Sequence, residues 1–157
     1  MRAFSIFALW LGFLVATACA SLPEAATPQE AAYLREVEAE PLEFTLPFLE
    51  LDRAIDRTID WLVRHEDAPY TRADNEAFKE AIRRTGLGLI QSAPHYRASD
   101  LGIHGYTVMI EIEEWVVTVR VTPHHDSWVD QKAGMQRNAK ILARYIRTGE
   151  EEASLVW

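Results

Sequence analysis

Four histidines, three serines and a few carboxylates in the C-terminal half carry most of the chemistry this chain could offer. His124-His125-Asp126 follows an apolar, strand-like run, and His95 and His104 lie a little upstream. Imidazole is the commonest ligand for zinc and suits copper. Adjacent histidines in an extended chain project to opposite sides. His124 and His125 therefore chelate one ion poorly, and a site would need ligands from elsewhere, such as His95 or His104. No metal and no cofactor is expected on this count. A hydrolase would pair His104 or His124 with Asp100 or Asp126 and use Ser92, Ser99 or Ser127 as nucleophile. None of these serines sits in a Gly-x-Ser-x-Gly elbow. Glu111, Glu113 and Glu114 could pass for paired acids, but a glycosidase places its carboxylates across a cleft. Here the alternation puts Glu111 and Glu113 on one solvated strand face. The residues argue against an enzyme and for a protein that works by binding or by structural support. The alternative is a small periplasmic enzyme or metal-binding protein that uses the loop histidines.

The other reactive side chain is Cys19, the one cysteine among 157 residues. It follows Met1-Arg2, an apolar run over Phe4–Val15 and the small residues Ala16-Thr17-Ala18. A spanning helix needs about 20 apolar residues, and this run is shorter and lacks a basic stop-transfer flank. A removable signal peptide is the better reading. Ala16-Thr17-Ala18-Cys19 resembles a bacterial lipobox, with Ala16 where Leu, Val or Ile is usual. That resemblance implies that Cys19 is lipidated and becomes the first mature residue. Ordinary cleavage at Ala16-x-Ala18 or Ala18-x-Ala20, and an uncleaved anchor, are the alternatives. Several acyl chains hold a protein to a bilayer stably where one holds it marginally. The expected location is the bacterial cell envelope, anchored by lipid, in the first place on the outer membrane facing the periplasm. A soluble secreted protein is the alternative. With Cys19 modified, disulfide and thiolate chemistry fall away.

Acids outnumber bases 24 to 16, a net charge of −8, so nucleic acid is not an expected partner. The expected partners are the membrane, through the lipid, and an envelope protein. Trp61, Trp115, Trp128 and Trp157 supply aromatic surface. Trp115 falls at a hairpin tip, Trp128 beside the start of the last helix, and Trp157 ends the chain. These three form a candidate binding surface, although packing accounts for most tryptophans.

Roughly 140 residues follow the leader, enough for one domain. Residues 1–18 are read as signal peptide and 19–42 as a flexible, lipid-anchored tether rich in Ala, Glu and Pro. A first helix of the domain is the alternative for part of that stretch. Residues 43–150 form one domain and 151–157 a tail. Pro47 is placed to start a helix over Phe48–His65, where Leu51, Ala54, Ile55, Thr58, Ile59, Leu62 and Val63 recur at three and four. Ala73–Arg84 reads as helix, with Asn75 as a cap, or as an edge strand. Leu87-x-Leu89-Ile90 starts a short strand, and Pro94–Gly105 reads as loop. Tyr106–Thr122 alternates strictly and predicts two strands joined near Glu113-Glu114. Pro123 should break the second strand. Asp126 or Ser127 should cap a last helix with the stripe Met135, Ala139, Leu142, Tyr145 and Ile146, ending at Gly149. The expected class is α+β, in the order α-β-β-β(-β)-α. An antiparallel sheet of three to four strands would carry helices on one face.

The last helix, Gln136-Arg137-Asn138-Ala139-Lys140-Ile141-Leu142-Ala143-Arg144-Tyr145-Ile146-Arg147-Thr148-Gly149, resembles the closing segment of a group of uncharacterised bacterial exported proteins. Those end in a similar Asn-Ala-x-Ile-Leu-Ala-x-Tyr-Ile-x-Thr-Gly stretch. They also carry an early amphipathic helix with a central Trp, as Trp61 would be here. The layout is similar to small lipoprotein domains with a TATA-binding-protein-like fold. The resemblance implies architecture and export, and no catalytic residue.

Overall fold

The structure, a computed structural model, describes residues 28–92, 95–97, 102–127 and 132–150, with backbone alone at 29–30, 95–97, 102–103, 125–127 and 132–133. Tyr106–Thr122 alternates because it forms a long hairpin: β4 (Gly102–Glu113) pairs with β5 (Val116–Ser127). On β4, Tyr106, Val108 and Ile110 are buried, as are Val117, Val119 and Val121 on β5. Their neighbours Thr107, Met109, Glu111, Thr118, Arg120 and Thr122 lie on the opposite, outer face, where none is fully buried. Two further antiparallel strands flank the hairpin. They are β1 (Glu43–Pro47) against β5 and β2 (Leu87–Gln91) against β4, giving the order β1-β5-β4-β2. The short β3 (His95–Arg97) also pairs with β4, beyond the end of β2.

The inner face is covered by helices. A single 3-10 turn, Phe48–Glu50, leads from β1 into α2 (Leu51–His65), which buries Leu51, Ala54, Ile55, Thr58, Ile59, Trp61 and Leu62. Val63, expected in that stripe, lies outside it and is partly exposed. Helix α3 (Arg72–Thr85) follows, and α4 (Lys132–Thr148) closes the domain with Met135, Ala139, Leu142 and Ile146 in the core and Tyr145 half-buried. The fold is α+β, with an antiparallel sheet carrying its helices on one side.

The structure departs from the sequence reading in several further places. Part of the stretch read as tether is α1 (Pro28–Ala39), a helix docked on α4. Val37 is fully buried, and Glu36, Glu38 and Glu40 pair with Arg144, Arg137 and Arg147. The Glu40 carboxylate is buried and takes two hydrogen bonds from Arg147, at 2.7 Å from Nε and 2.9 Å from Nη2. That hydrogen bond, with the Glu40 charge, raises the pKa of Arg147 further. The partners that hold α1 lie a hundred residues away in sequence, so its own composition gave no sign of them.

Residues 43–47, to which the sequence reading gave no element, form the edge strand β1, and the helical run does start after Pro47, at Phe48. Pro47 ends the strand, at a position whose amide faces away from β5. Ala73–Arg84 is helix, but Thr71, not Asn75, caps it. The Thr71 hydroxyl accepts from Asp74 N–H, and Thr71 N–H donates to the Asp74 carboxylate at 2.8 Å.

The segment around Pro123 is another departure. The chain stays in β5 to Ser127, so neither Asp126 nor Ser127 caps α4, which begins at Lys132. The expected loop Pro94–Gly105 likewise contains β3 and the start of β4. The ladder explains why proline is tolerated. Tyr106, opposite Pro123, spends both backbone groups on Ser92 of the β2 side. The pair Tyr106–Pro123 is therefore a non-hydrogen-bonded one. The missing amide of Pro123 would face β1, whose last bond to β5 in that direction runs from Val121 N–H to Leu42 O. No ladder bond is lost.

Truncating Leu142 to Ala should cost about 2–5 kcal/mol and Val117 to Ala roughly 1–3 kcal/mol, while Glu111→Ala should stay within about 0.5 kcal/mol. Urea unfolding midpoints would check all three, and equal losses at Val117 and Glu111 would mean that the faces are reversed. Glu40→Ala should cost roughly 1–3 kcal/mol through the unpaired Arg147, softened by that side chain's partial exposure. It should also raise proteolytic cleavage ahead of residue 42.

Candidate functional site

The hairpin turn is two residues long, with Glu113 opposite Val116. Glu114 takes φ of +56°, the conformation that the first position of a type II′ turn demands and that glycine usually supplies. Trp115 is the second turn residue and is 77% exposed. Its indole rests edge-on against Phe48, with centroids 6.0 Å apart and planes at 85°. The Phe48 amide donates to the Trp115 carbonyl at 2.9 Å. The tip is thus fastened to the corner between β1 and α2, with one indole face left to solvent. Leu49, 90% exposed, stands next to it.

The outer sheet face beside this tip carries apolar side chains on β5 and β2, with the exposed Glu113 and Glu111 of β4 between Val116 and Leu87. Val116, Leu87 and Leu89 are 45%, 50% and 53% exposed, and the half-buried Met109 pairs with Leu89 across the ladder. The two leucines point outward because the inward position between them is Gly88. A Cβ there would collide with the Ile82 side chain of α3. The glycine lets helix and strand approach closely, and the leucines take the other side by alternation. Leu87-x-Leu89 was readable as a strand, and the intervening glycine was the available signal for which face they occupy.

The sheet's edges are blunted in part: β2 is plugged and β1 is short, but β5 runs on to Ser127 past its last bond to the β1 side, from Val121 N–H to Leu42 O. On β2 the residues facing away from β4 are Leu87, Leu89 and Gln91. Thr85 Oγ1 accepts from Leu87 N–H, and its one proton is shared between Leu87 O and Ala81 O, each 2.8 Å away. Tyr70 OH accepts from Gln91 N–H and donates to Gln91 O. Two side-chain hydroxyls thus plug the strand at both ends, with only Leu89 between them. The other edge, β1, is five residues long and closes on Pro47.

The described residues also form two open depressions. One, of about 270 Å³, lies on α3 between Asp74 and Ala81; the other, of about 160 Å³, lies between Phe48 and Arg83. Neither reaches the roughly 300–1,000 Å³ typical of small-molecule sites.

The histidines are divided by the sheet. His124 is on the outer face, with Nε2 2.6 Å from Thr107 Oγ1. His104 is buried on the inner face, with Nδ1 3.0 Å from Met135 Sδ. In the ladder His104 lies between His95 of β3 and His125 of β5. Among the residues with described side chains, no three His, Cys, Asp or Glu come together as metal ligands, and of that row only His104 belongs to them. Ser92 is buried and its hydroxyl accepts from Tyr106 N–H at 2.8 Å, a structural use. Ser127 and Asp126 are described only as backbone of β5. Glu111, Glu113 and Glu114 are exposed. Cys19, Ser99, Asp100, Trp128 and Trp157 lie outside the described residues. Trp61 is core, edge-on to Tyr106 at 5.3 Å. No helix among the described residues is long and apolar enough to cross a membrane.

Comparison with protein-family models, curated proteins and solved structures finds no match for this chain. The functional reading therefore rests on geometry.

His65 ends α2 with its ring 4.9 Å from that of Trp61. Burial, and then the Arg64 charge, hold its pKa below the usual 6.5 against the opposing pull of Asp60. The unfolded chain therefore takes up the proton first as pH falls. Stability should decline as pH drops through about 6.5 and level off below the folded-state value. Denaturant midpoints between pH 8 and pH 5 should fall less steeply for His65→Gln than for wild type, and parallel curves would remove His65 as the cause.

Proposed function

We propose that this chain is an envelope protein, anchored through lipid on Cys19, that binds another envelope protein with its hairpin tip and outer sheet face. One observation carries the reading. The face that every helix leaves bare presents Val116, Leu87 and Leu89, each about half exposed, and Trp115 stands 77% exposed at the hairpin tip beside it. Large apolar side chains left on a monomer's surface in this way mark interaction sites. The plugged β2 edge argues against a partner that adds a strand there, and favours one that lies across the face. Trp115 is the natural anchor: a large indole braced by Phe48 loses little rotamer freedom on binding. Trp128 and Trp157 remain candidates for the same surface. The action is binding or support; no catalytic residue is assigned.

Two experiments test the parts separately. Cys19→Ser should move the protein from the membrane fraction to the soluble one and abolish labelling by a fatty-acid analogue. A wild-type protein already soluble and unlabelled would remove the anchor. For the surface, a photo-crosslinking amino acid at Leu89 or Trp115 should trap a discrete adduct in intact cells, while the same probe at Glu80 on exposed α3 should not. Adducts of equal yield at all three positions, or at none, would discard the outer face as the docking site.

A further inference from the structure

The apolar residues of the outer sheet face are interleaved with acids. Val116 is the ladder partner of Glu113, and Leu87 is the partner of Glu111. Directly opposed residues of antiparallel strands share a face, with Cβ atoms about 4.5–5.5 Å apart. Each of these two apolar side chains therefore has an exposed carboxylate as its immediate neighbour. In the turn, the exposed Glu114 directly precedes Trp115. We propose that the occupant of this apolar face is a basic segment of another protein, in which Arg or Lys adjoins hydrophobic side chains, with one arginine stacked on Trp115. The proposal rests on the reading of this face as a docking surface and adds the chemistry of what docks there.

Three observations select this occupant. The first is an unbalanced charge. Among the residues with described side chains, Arg120 is the one Lys or Arg on the outer face, and Glu43 takes it at 2.6 Å. Glu111 adds its charge to the field at the same guanidinium. Glu113 and Glu114 have no ion-pair partner among the described residues. A partner without positive charge would strip water from these acids and give nothing in return.

The second is the indole. Trp115 is 77% exposed and braced by Phe48. A guanidinium within about 6 Å of an indole face is attracted by the ring quadrupole, and the acids at 113 and 114 add to that attraction. Arginine suits the place because its planar head is weakly hydrated and stacks on aromatic faces. The third is the scale of the mosaic. Acid and apolar side chains alternate at about 5 Å. The methylene stem of Arg or Lys can lie on a leucine or valine while its head reaches the carboxylate beside it.

The same charges count against two other occupants. An anionic bilayer surface would repel the face. A second copy docked through the same face on a two-fold axis would bring these glutamates close to their own equivalents, and the whole chain carries a net charge of −8.

The test starts from the photo-crosslinking amino acid at Leu89 in intact cells. In that background Glu111→Gln/Glu113→Gln should cut the yield of adduct about tenfold. Asp67→Asn/Glu80→Gln, which removes two exposed acids on the helix side, should leave it unchanged. The two doubles have the same net charge, and both should melt at the wild-type temperature. The trapped segment of the partner should hold Arg or Lys beside apolar residues. With the purified full chain in detergent, a short synthetic peptide of alternating Arg and Leu should bind, and about tenfold more weakly to Trp115→Ala. Its Glu-Leu counterpart should not bind. A wild-type yield in Glu111→Gln/Glu113→Gln, an equal loss in the control double, or equal binding of the two peptides overturns this proposal and leaves the docking face standing. An adduct with lipid or with a second copy of this chain overturns it too. With no adduct at Leu89 or at Trp115, the docking face itself falls and this proposal falls with it.

Discussion

Parity in the β4–β5 hairpin is the constraint on which the rest of this domain depends. Two turn residues connect two strands of twelve residues, and Glu114 accepts a positive φ to keep that turn short. A slip of one residue would exchange every inward side chain for an outward one. With the turn at Glu114-Trp115, Tyr106, Val108, Ile110, Val117, Val119 and Val121 meet the helices. The same parity sends Met109 and Thr118 outward and puts Pro123 where its amide is not needed. Helix positions follow from it. Trp61 of α2 meets Tyr106, Met135 of α4 meets both Tyr106 and His104, and Ile82 of α3 fills the space over Gly88.

What the sequence could reveal was local. The alternation of Tyr106–Thr122, the three-and-four spacing of α2 and the stripe of α4 each lie within one element, and each predicted its element and its buried face. Ala73–Arg84 hinged on a signal just outside it, the capping box that Thr71 forms with Asp74. The features that were not legible depend on partners far along the chain. Helix α1 is held by bases on α4, β1 is a strand because β5 needs a neighbour, and Pro123 stays in the ladder because β1 has already ended. The candidate surfaces divide the same way. Trp115 was readable at the hairpin tip. The outward aim of Leu87 and Leu89 exists only once register is known.

Charge is distributed in a way that net composition conceals. The chain is acidic, yet α4 presents Arg137, Lys140, Arg144 and Arg147 toward α1 and its acids. The surface pairs each contribute little, and the buried Glu40 carboxylate contributes more because water cannot replace Arg147 there. Docking of α1 is thus electrostatic at its exposed side and apolar at Val37. Elsewhere, Asp60 is held below the usual carboxylate range: burial pulls it upward, but hydrogen bonds from Arg64 and Tyr145 outweigh that. Asp60 therefore joins α2 to α4 in its ionised form.

The hydroxyls of Thr85 and Tyr70 on β2 have a consequence for life at a surface. Molecules confined to two dimensions meet their own kind far more often than molecules in bulk solution, and meet them in a common orientation. An open strand edge under those conditions is a seed for sheet-to-sheet polymerisation. On β2 these two alcohols leave a docking copy of the chain a single residue to pair with. If the chain is held at a membrane as proposed, this strand does not seed fibres while Leu87 and Leu89 stay accessible.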